Sequence, residues 1–216
     1  MRQALEAYNR WLNYPQLDEG MRAELEAIRD QPEEIADRFW RGLGFGTGGL
    51  RGIMGAGTNR MNMYTVAKVT RGFAKYLSGI SDLPSCAIGY DSRNQSAAFA
   101  RLAAAVLADK GVRVHLFDEL VPVPMLSFAV RYLHCDGGVM ITASHNPCEY
   151  NGYKVYDRTG CQVSDAVAGE IAGHIARQSD LVMRLPEYEQ YSRKGQIRTI
   201  DRDVGDAFQE AVLHHS

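Results

Sequence analysis

Gly138-Val139-Met140-Ile141-Thr142-Ala143-Ser144-His145-Asn146-Pro147 is the stretch from which the rest of this chain can be read. Gly138 to Ile141 is a short apolar run of the kind that ends a buried strand, and the residues after it are small or polar. A serine hydroxyl is thereby delivered to the rim of a sheet. Pro147 biases Asn146 toward an extended backbone. The expected product is an exposed, tightly shaped loop with an accessible hydroxyl.

Outward from that loop, strand and helix patterns alternate. Cys86 to Tyr90 and Val112 to Phe117 read as strands, and Tyr153 to Tyr156 as a short one. Helical spacing covers Met63 to Leu77, Ala97 to Lys110, Pro124 to Leu133 and Asp165 to Arg177, with Gly111 as a C-cap and Ser164 as an N-cap. Asp201 to Leu213 reads as one more helix, and Ser179 to Gly195 as polar and irregular. Alternation of this kind predicts an α/β fold, an α/β/α layered domain on a mixed, largely parallel sheet.

Residues 1–41 are different. Leu5, Tyr8, Trp11 and Leu12 share a helical face, Leu25, Ile28, Ile35, Phe39 and Trp40 continue the stripe, and Pro15 and Pro32 divide it into about three helices. A helical extension packed on the main body is the expected arrangement, with a dimerisation arm as the alternative. The composition then changes abruptly, since eight of the sixteen residues from Gly42 to Gly57 are glycine.

The bulk numbers exclude several classes. With 216 residues, 45% hydrophobic and 23% charged, the chain can bury a core. A net charge of -2 gives no basic surface for nucleic acid. The segment Met1-Arg2-Gln3-Ala4-Leu5-Glu6 has no apolar signal region, and no run of about eighteen apolar residues suggests a membrane span. Cys86, Cys135, Cys148 and Cys161 match no zinc spacing and read as reduced thiols. A cytoplasmic protein is the expectation.

Thr142-Ala143-Ser144-His145-Asn146-Pro147 resembles the phosphoserine loop of the α-D-phosphohexomutases, the family of phosphoglucomutases and phosphomannomutases. Gly46-Thr47-Gly48-Gly49-Leu50-Arg51-Gly52, Gly89-Tyr90-Asp91-Ser92-Arg93 and Asn151-Gly152-Tyr153-Lys154 resemble the other signatures of that family's first domain, in the family's order. The likeness covers roughly residues 40–200. It implies that phosphorylated Ser144 donates to a sugar hydroxyl, that a bisphosphorylated intermediate turns over, and that phosphate moves between C1 and C6. It also implies Mg²⁺, bound in part through the Ser144 phosphate, and a sugar bisphosphate as primer.

Each candidate residue has a chemical reason to be there. Phosphoryl transfer is catalysed mainly by positioning and by neutralising oxygen charge, and a phosphoserine brings a charge near -2 with three acceptor oxygens. The glycines around Thr47 and Gly48 expose amide donors to an anion, and the Arg51 guanidinium can bind phosphate in bidentate fashion. His145 beside the carrier can donate a hydrogen bond or move a proton, but two neighbours on an extended segment point apart, which argues against a triad base. If the chain turns at 144–147 and returns over 151–156, the Lys154 ammonium reaches the serine loop, and the resemblance implies that it acts there with Arg51. Asp91 and Arg93 read as a structural turn supporting that loop. A hydrolase elbow is unsuited, because Thr142 and Asn146 occupy its glycine positions.

The expected division is a helical extension over 1–41, the phosphoserine domain over 42–180, and a linker with the start of a truncated second domain over 181–216. Family members resemble a four-domain chain, and the metal loop with three aspartates is missing here. The expected partners are therefore a phosphosugar and the remaining domains, with no nucleic acid and no membrane. This chain alone is expected to be inactive. A non-catalytic phosphate- or protein-binding module is the alternative.

Overall fold

Cys86-Ala87-Ile88 and Val139-Met140-Ile141 show no alternation of polarity because both faces of their strands are covered. In the computed structural model, which describes residues 1–214, they lie in β2 (Ser85–Tyr90) and β4 (Gly137–Ile141). The other strands are β1 (Leu50–Ile53), β3 (Arg113–Leu116), β5 (Tyr150–Asp157) and β6 (Ile197–Thr199). Together they form one mixed sheet in the order β1-β5-β4-β2-β3-β6. The pairs β2–β3, β2–β4 and β3–β6 are parallel, and β5 runs antiparallel to both β4 and β1.

Period-two alternation sends side chains to two separate cores. Cys86, Ile88, Val139, Ile141, Tyr153 and Val155 face α4 (Met63–Ile80), α5 (Ser96–Asp109) and α7 (Asp165–Ala176). Ala87, Met140 and Tyr156 face α6 (Val123–Tyr132) and α9 (Arg202–Leu213). The expected α/β/α layering and mixed, largely parallel sheet are therefore present. Gly111 takes φ 83° just after α5, and the Ser164 hydroxyl caps α7 by accepting from the Val167 amide.

The N-terminal segment folds as α1 (Arg2–Leu12), α2 (Glu19–Ala27) and α3 (Pro32–Phe39). Its stripe faces inward: Ala4, Tyr8, Trp11, Leu25, Ile35 and Phe39 bury together with Ala56 and Tyr64 of the main body. Trp11 is fully buried, edge-to-face with Phe39 at 5.7 Å and with Tyr64 at 5.4 Å. Two expected stripe residues depart from this, since Leu5 is 46% and Trp40 55% exposed. The buried line of α1 runs through Ala4, Tyr8 and Trp11 instead, one residue round the helix from Leu5. Polar links add to the packing, with Arg38 bonded to Glu24 and Glu34 and donating to the Ala56 carbonyl at 3.2 Å.

Three elements were not expected from the pattern. β1 lies inside the glycine-rich run, α8 (Tyr188–Arg193) lies in the segment read as irregular, and β6 follows it. β6 extends the main sheet at β3, and Ile200 and Val204 join the α6 core while Phe208 packs edge-to-face on Phe128 at 5.6 Å. Residues 197–208, within the 181–216 segment expected to be a linker and the start of a second domain, pack on the same body as 42–180.

Candidate active site

The end of β4 delivers Ser144 as the apolar run requires. Thr142 and Ala143 are buried, and Ser144, His145 and Pro147 are exposed. Pairing with β5 continues to Thr142, whose amide donates to the Gly152 carbonyl at 3.1 Å. Its hydroxyl then accepts the Ser144 amide at 2.9 Å, and the Asn146 amide closes a turn on the Ala143 carbonyl at 3.2 Å. Ser144 adopts φ 57°, a left-handed conformation that a serine occupies only when its surroundings hold it there.

Arg93, from the turn after β2, does much of that holding. Its Nη2 donates to the carbonyls of Ser144 and Asn146, each at 2.6 Å, and its Nη1 to those of Pro147 at 2.9 Å and Tyr150 at 3.2 Å. Asp91 orients the guanidinium from behind, with its carboxylate 3.4 Å from Nε and accepting the Arg93 amide at 3.0 Å. The same carboxylate accepts from Ser96 at 2.8 Å, and Ser96 in turn accepts from buried Asn151 at 3.0 Å. The supporting turn expected of Asp91 and Arg93 thus extends across three strands' ends.

Arg51 on β1 reaches this loop, and Lys154 on β5 lines a cavity with Thr142 at its start. Arg51 pairs in register with Gly152, and its Nη1 donates to Asn146 Oδ1 at 2.6 Å, two residues from the serine. Lys154 pairs with Met140 and is half-buried; its ammonium has no hydrogen-bond or ion-pair partner among the described residues. Arg51, Lys154, Thr142, Gly48, Gly49 and Gln162 line one open cavity of about 440 Å³. Ser144 is not part of that lining and is joined to it through Thr142. Two cations with free hydrogen-bonding capacity lining one open cavity make a setting for an anion, two residues along the chain from the exposed hydroxyl.

Thr47 and Gly48 form the tip of a two-residue turn closed by reciprocal Gly46–Gly49 amide–carbonyl bonds of 3.0 and 2.8 Å. Gly48 reaches the cavity, and Thr47 does not. Gly49 is irreplaceable on two counts: φ is 79°, and an added Cβ would sit 1.9 Å from the Tyr153 carbonyl oxygen. Its bare backbone is what lets β1 approach β5 closely enough to present Arg51.

His145 corrects one expectation. Because Ser144 is left-handed rather than extended, the two neighbours do not point apart, and His145 Nδ1 lies 3.4 Å from Ser144 Oγ. The imidazole is within reach of the serine hydroxyl. Asn146, the partner of Arg51, was missed by sequence reasoning, and only its place before Pro147 in the motif drew notice.

A magnesium ion fits this chain poorly. Among the described residues no group of three or more His, Cys, Asp or Glu side chains is placed to hold a metal, and a lone serine oxygen is too little for a hard cation. The four cysteines are unpaired; Cys86 and Cys135 are buried, and burial pushes the Cys135 thiol up to about 12. Among the described residues no helix is long and apolar enough to cross a membrane.

Comparison with known proteins agrees with this architecture. A family profile described as phosphoglucomutase/phosphomannomutase, alpha/beta/alpha domain I, matches residues 42–181. A phosphoglucomutase of Staphylococcus haemolyticus is 47% identical over 133 residues, 62% of this chain and 24% of that protein. A "probable phosphoribomutase" of Schizosaccharomyces pombe is 52% identical over 126 residues, 56% of this chain and 21% of that protein. The crystal structure of a "putative phosphomannomutase" from Thermus thermophilus superimposes with a TM-score of 0.68 at 32% identity, covering 80% of this chain and 36% of that one. The chain therefore spans only about a quarter of the length of these curated relatives. Sheet order, ordered motifs and profile match converge, and the chain belongs to the phosphoglucomutase/phosphomannomutase family, of which it carries the α/β/α domain I.

Proposed function

We propose that this chain is the phosphoserine-bearing part of a cytoplasmic phosphosugar mutase that moves phosphate between C1 and C6 of a hexose. The observation that carries the reading is Ser144 itself, an exposed hydroxyl on a left-handed turn whose Asn146 is bonded by Arg51 and whose preceding Thr142 lines a cavity with Arg51 and the unpartnered ammonium of Lys154. In this reading phosphorylated Ser144 donates its phosphoryl group to a sugar hydroxyl. The sugar oxygen–phosphorus bond forms as the serine oxygen–phosphorus bond breaks, and the sugar's proton passes to a nearby base. The resulting bisphosphorylated sugar turns over and returns its other phosphate to Ser144.

Roles follow from position. Arg51 and Lys154 neutralise charge on the phosphoryl oxygens, the amides about Gly48 add donors, and His145 holds or moves a proton beside Oγ. Mg²⁺, when bound, supplies further charge neutralisation at the transferring group; its protein ligands and sugar recognition belong to the remaining domains. Unpaired, partly buried thiols suit a reducing compartment.

Two measurements test this. Phosphosite mapping by intact and peptide mass spectrometry, on protein from its native source, should find phosphate on Ser144 and lose it in Ser144→Ala. Phosphate confined to another residue overturns the carrier role. The purified 216-residue chain, given glucose 1-phosphate, Mg²⁺ and glucose 1,6-bisphosphate, should yield no glucose 6-phosphate. Measurable conversion overturns the assignment of essential parts to other domains.

A further inference from the structure

We infer that Arg93 is a positioning residue for phosphate on Ser144, acting through the main chain and not by touching the phosphate. The inference rests on the phosphoserine reading for its purpose and on geometry for its content. All four of the guanidinium contacts to the loop are to carbonyl oxygens, those of Ser144, Asn146, Pro147 and Tyr150. Asp91 occupies the Nε side. Arg93 therefore has little capacity left for an anion.

Peptide planarity gives that arrangement a consequence. In a trans peptide the carbonyl of one residue and the amide of the next point in opposite directions. Drawing the Ser144 and Pro147 carbonyls toward Arg93 turns the amides of His145 and Cys148 to the opposite side. Neither amide has a hydrogen-bond partner among the described residues. The carbonyl of Asn146 also points to Arg93, and its successor is Pro147, which has no amide to lose. The clamp thus sorts the loop into an acceptor side that faces Arg93 and a donor side that is free for phosphoryl oxygens. It also accounts for the left-handed Ser144, since the carbonyl of that residue is one of those held. A lysine cannot substitute, because a compact ammonium lacks the planar fork that spans several carbonyls at once.

The test uses the 216-residue chain as Arg93→Gln and Arg93→Lys, with thermal unfolding to verify the fold. Backbone NMR should show left-handed shifts at Ser144 in the parent chain and their loss in both variants. Exchange of the Asn146 amide should be about tenfold faster in both. Phosphoserine is then installed at position 144 and titrated by ³¹P NMR. Donation from the two free amides should hold its second ionisation below the usual value of about 6. Both variants should raise it, with the His145 and Cys148 amides losing their downfield response to deprotonation.

Arg93→Lys separates geometry from charge and stands in should Arg93→Gln fail to fold. If it keeps the parent's loop shifts and phosphate titration, charge alone suffices and the inference is overturned. Absence of phosphate from Ser144 in native protein would sink the mutase reading instead, and leave the clamp intact, because the loop shifts are read without phosphate.

Discussion

Helices α1–α3 meet the rest of the molecule through Trp11, Phe39, Tyr8 and Tyr64, whereas the loop after β4 meets it through the guanidiniums of Arg93 and Arg51 and a few short hydrogen bonds. Burial of apolar area is non-directional, so the first attachment depends on volume and tolerates exchange of one bulky ring for another. Hydrogen bonds to main-chain carbonyls are directional, so the second depends on the position of individual atoms. Of the two regions, the one that presents the proposed phosphate carrier is held by the less forgiving kind of contact.

The largest effect that would strain this contrast is at Trp11. Trp11→Ala should cost about 3–5 kcal/mol of stability, read by urea unfolding, while the Ser144 loop signals stay in place. Trp11→Phe should cost far less, because the indole N–H has no hydrogen-bond partner among the described residues and contributes only area. A loop disturbed by either variant would show that the two attachments are coupled.

A smaller change at Gly49 strikes the directional side. Gly49→Ala sets a Cβ against the Tyr153 carbonyl at a left-handed position, which should cost roughly 1–3 kcal/mol. Its distinguishing sign is separation of β1 from β5, seen as loss of the Arg51–Asn146 contact in side-chain NMR with α1–α3 unaffected.

The smallest effect lies at the edge of the sheet away from both regions. His115 on β3 pairs in register with Arg198 on β6, and burial first, then Arg198 and Arg113, holds its pKa below the ordinary 6.5. The unfolded chain therefore takes up this proton first. The stability contributed by the neutral imidazole is present above about pH 6.5 and is lost as pH falls toward the folded-state value. The thermal midpoint should drop between about pH 7.5 and about pH 5.5, and His115→Asn should flatten that slope.

Much of the frame was legible because its periodicities are clean. Apolar runs at 86–90 and 138–141 and the alanine-rich helix before Gly111 formed where the pattern placed them. β1 was not legible, since glycine carries no polarity to alternate and its strand exists only through pairing with β5. β6 has a single buried residue, Ile197, too little for a pattern. Within the site, Ser144 stood out by its loop and Arg93 by its place after a strand. The contact of Arg51 with Asn146 joins residues 95 apart and is invisible to local spacing. The His145 expectation failed because backbone handedness at a serine is set by tertiary contacts, not by its own preference.

β5 carries Tyr153 into one core, Tyr156 into the other, and Lys154 beside the cavity. Sliding this strand by a single residue would exchange the two faces, burying an ammonium where a phenol ring now packs. The placement of the cation is thus encoded in a pairing offset rather than in the lysine alone. An insertion between 150 and 153 could leave every motif residue present and still silence the site, a lesion that inspection of side chains one at a time would overlook.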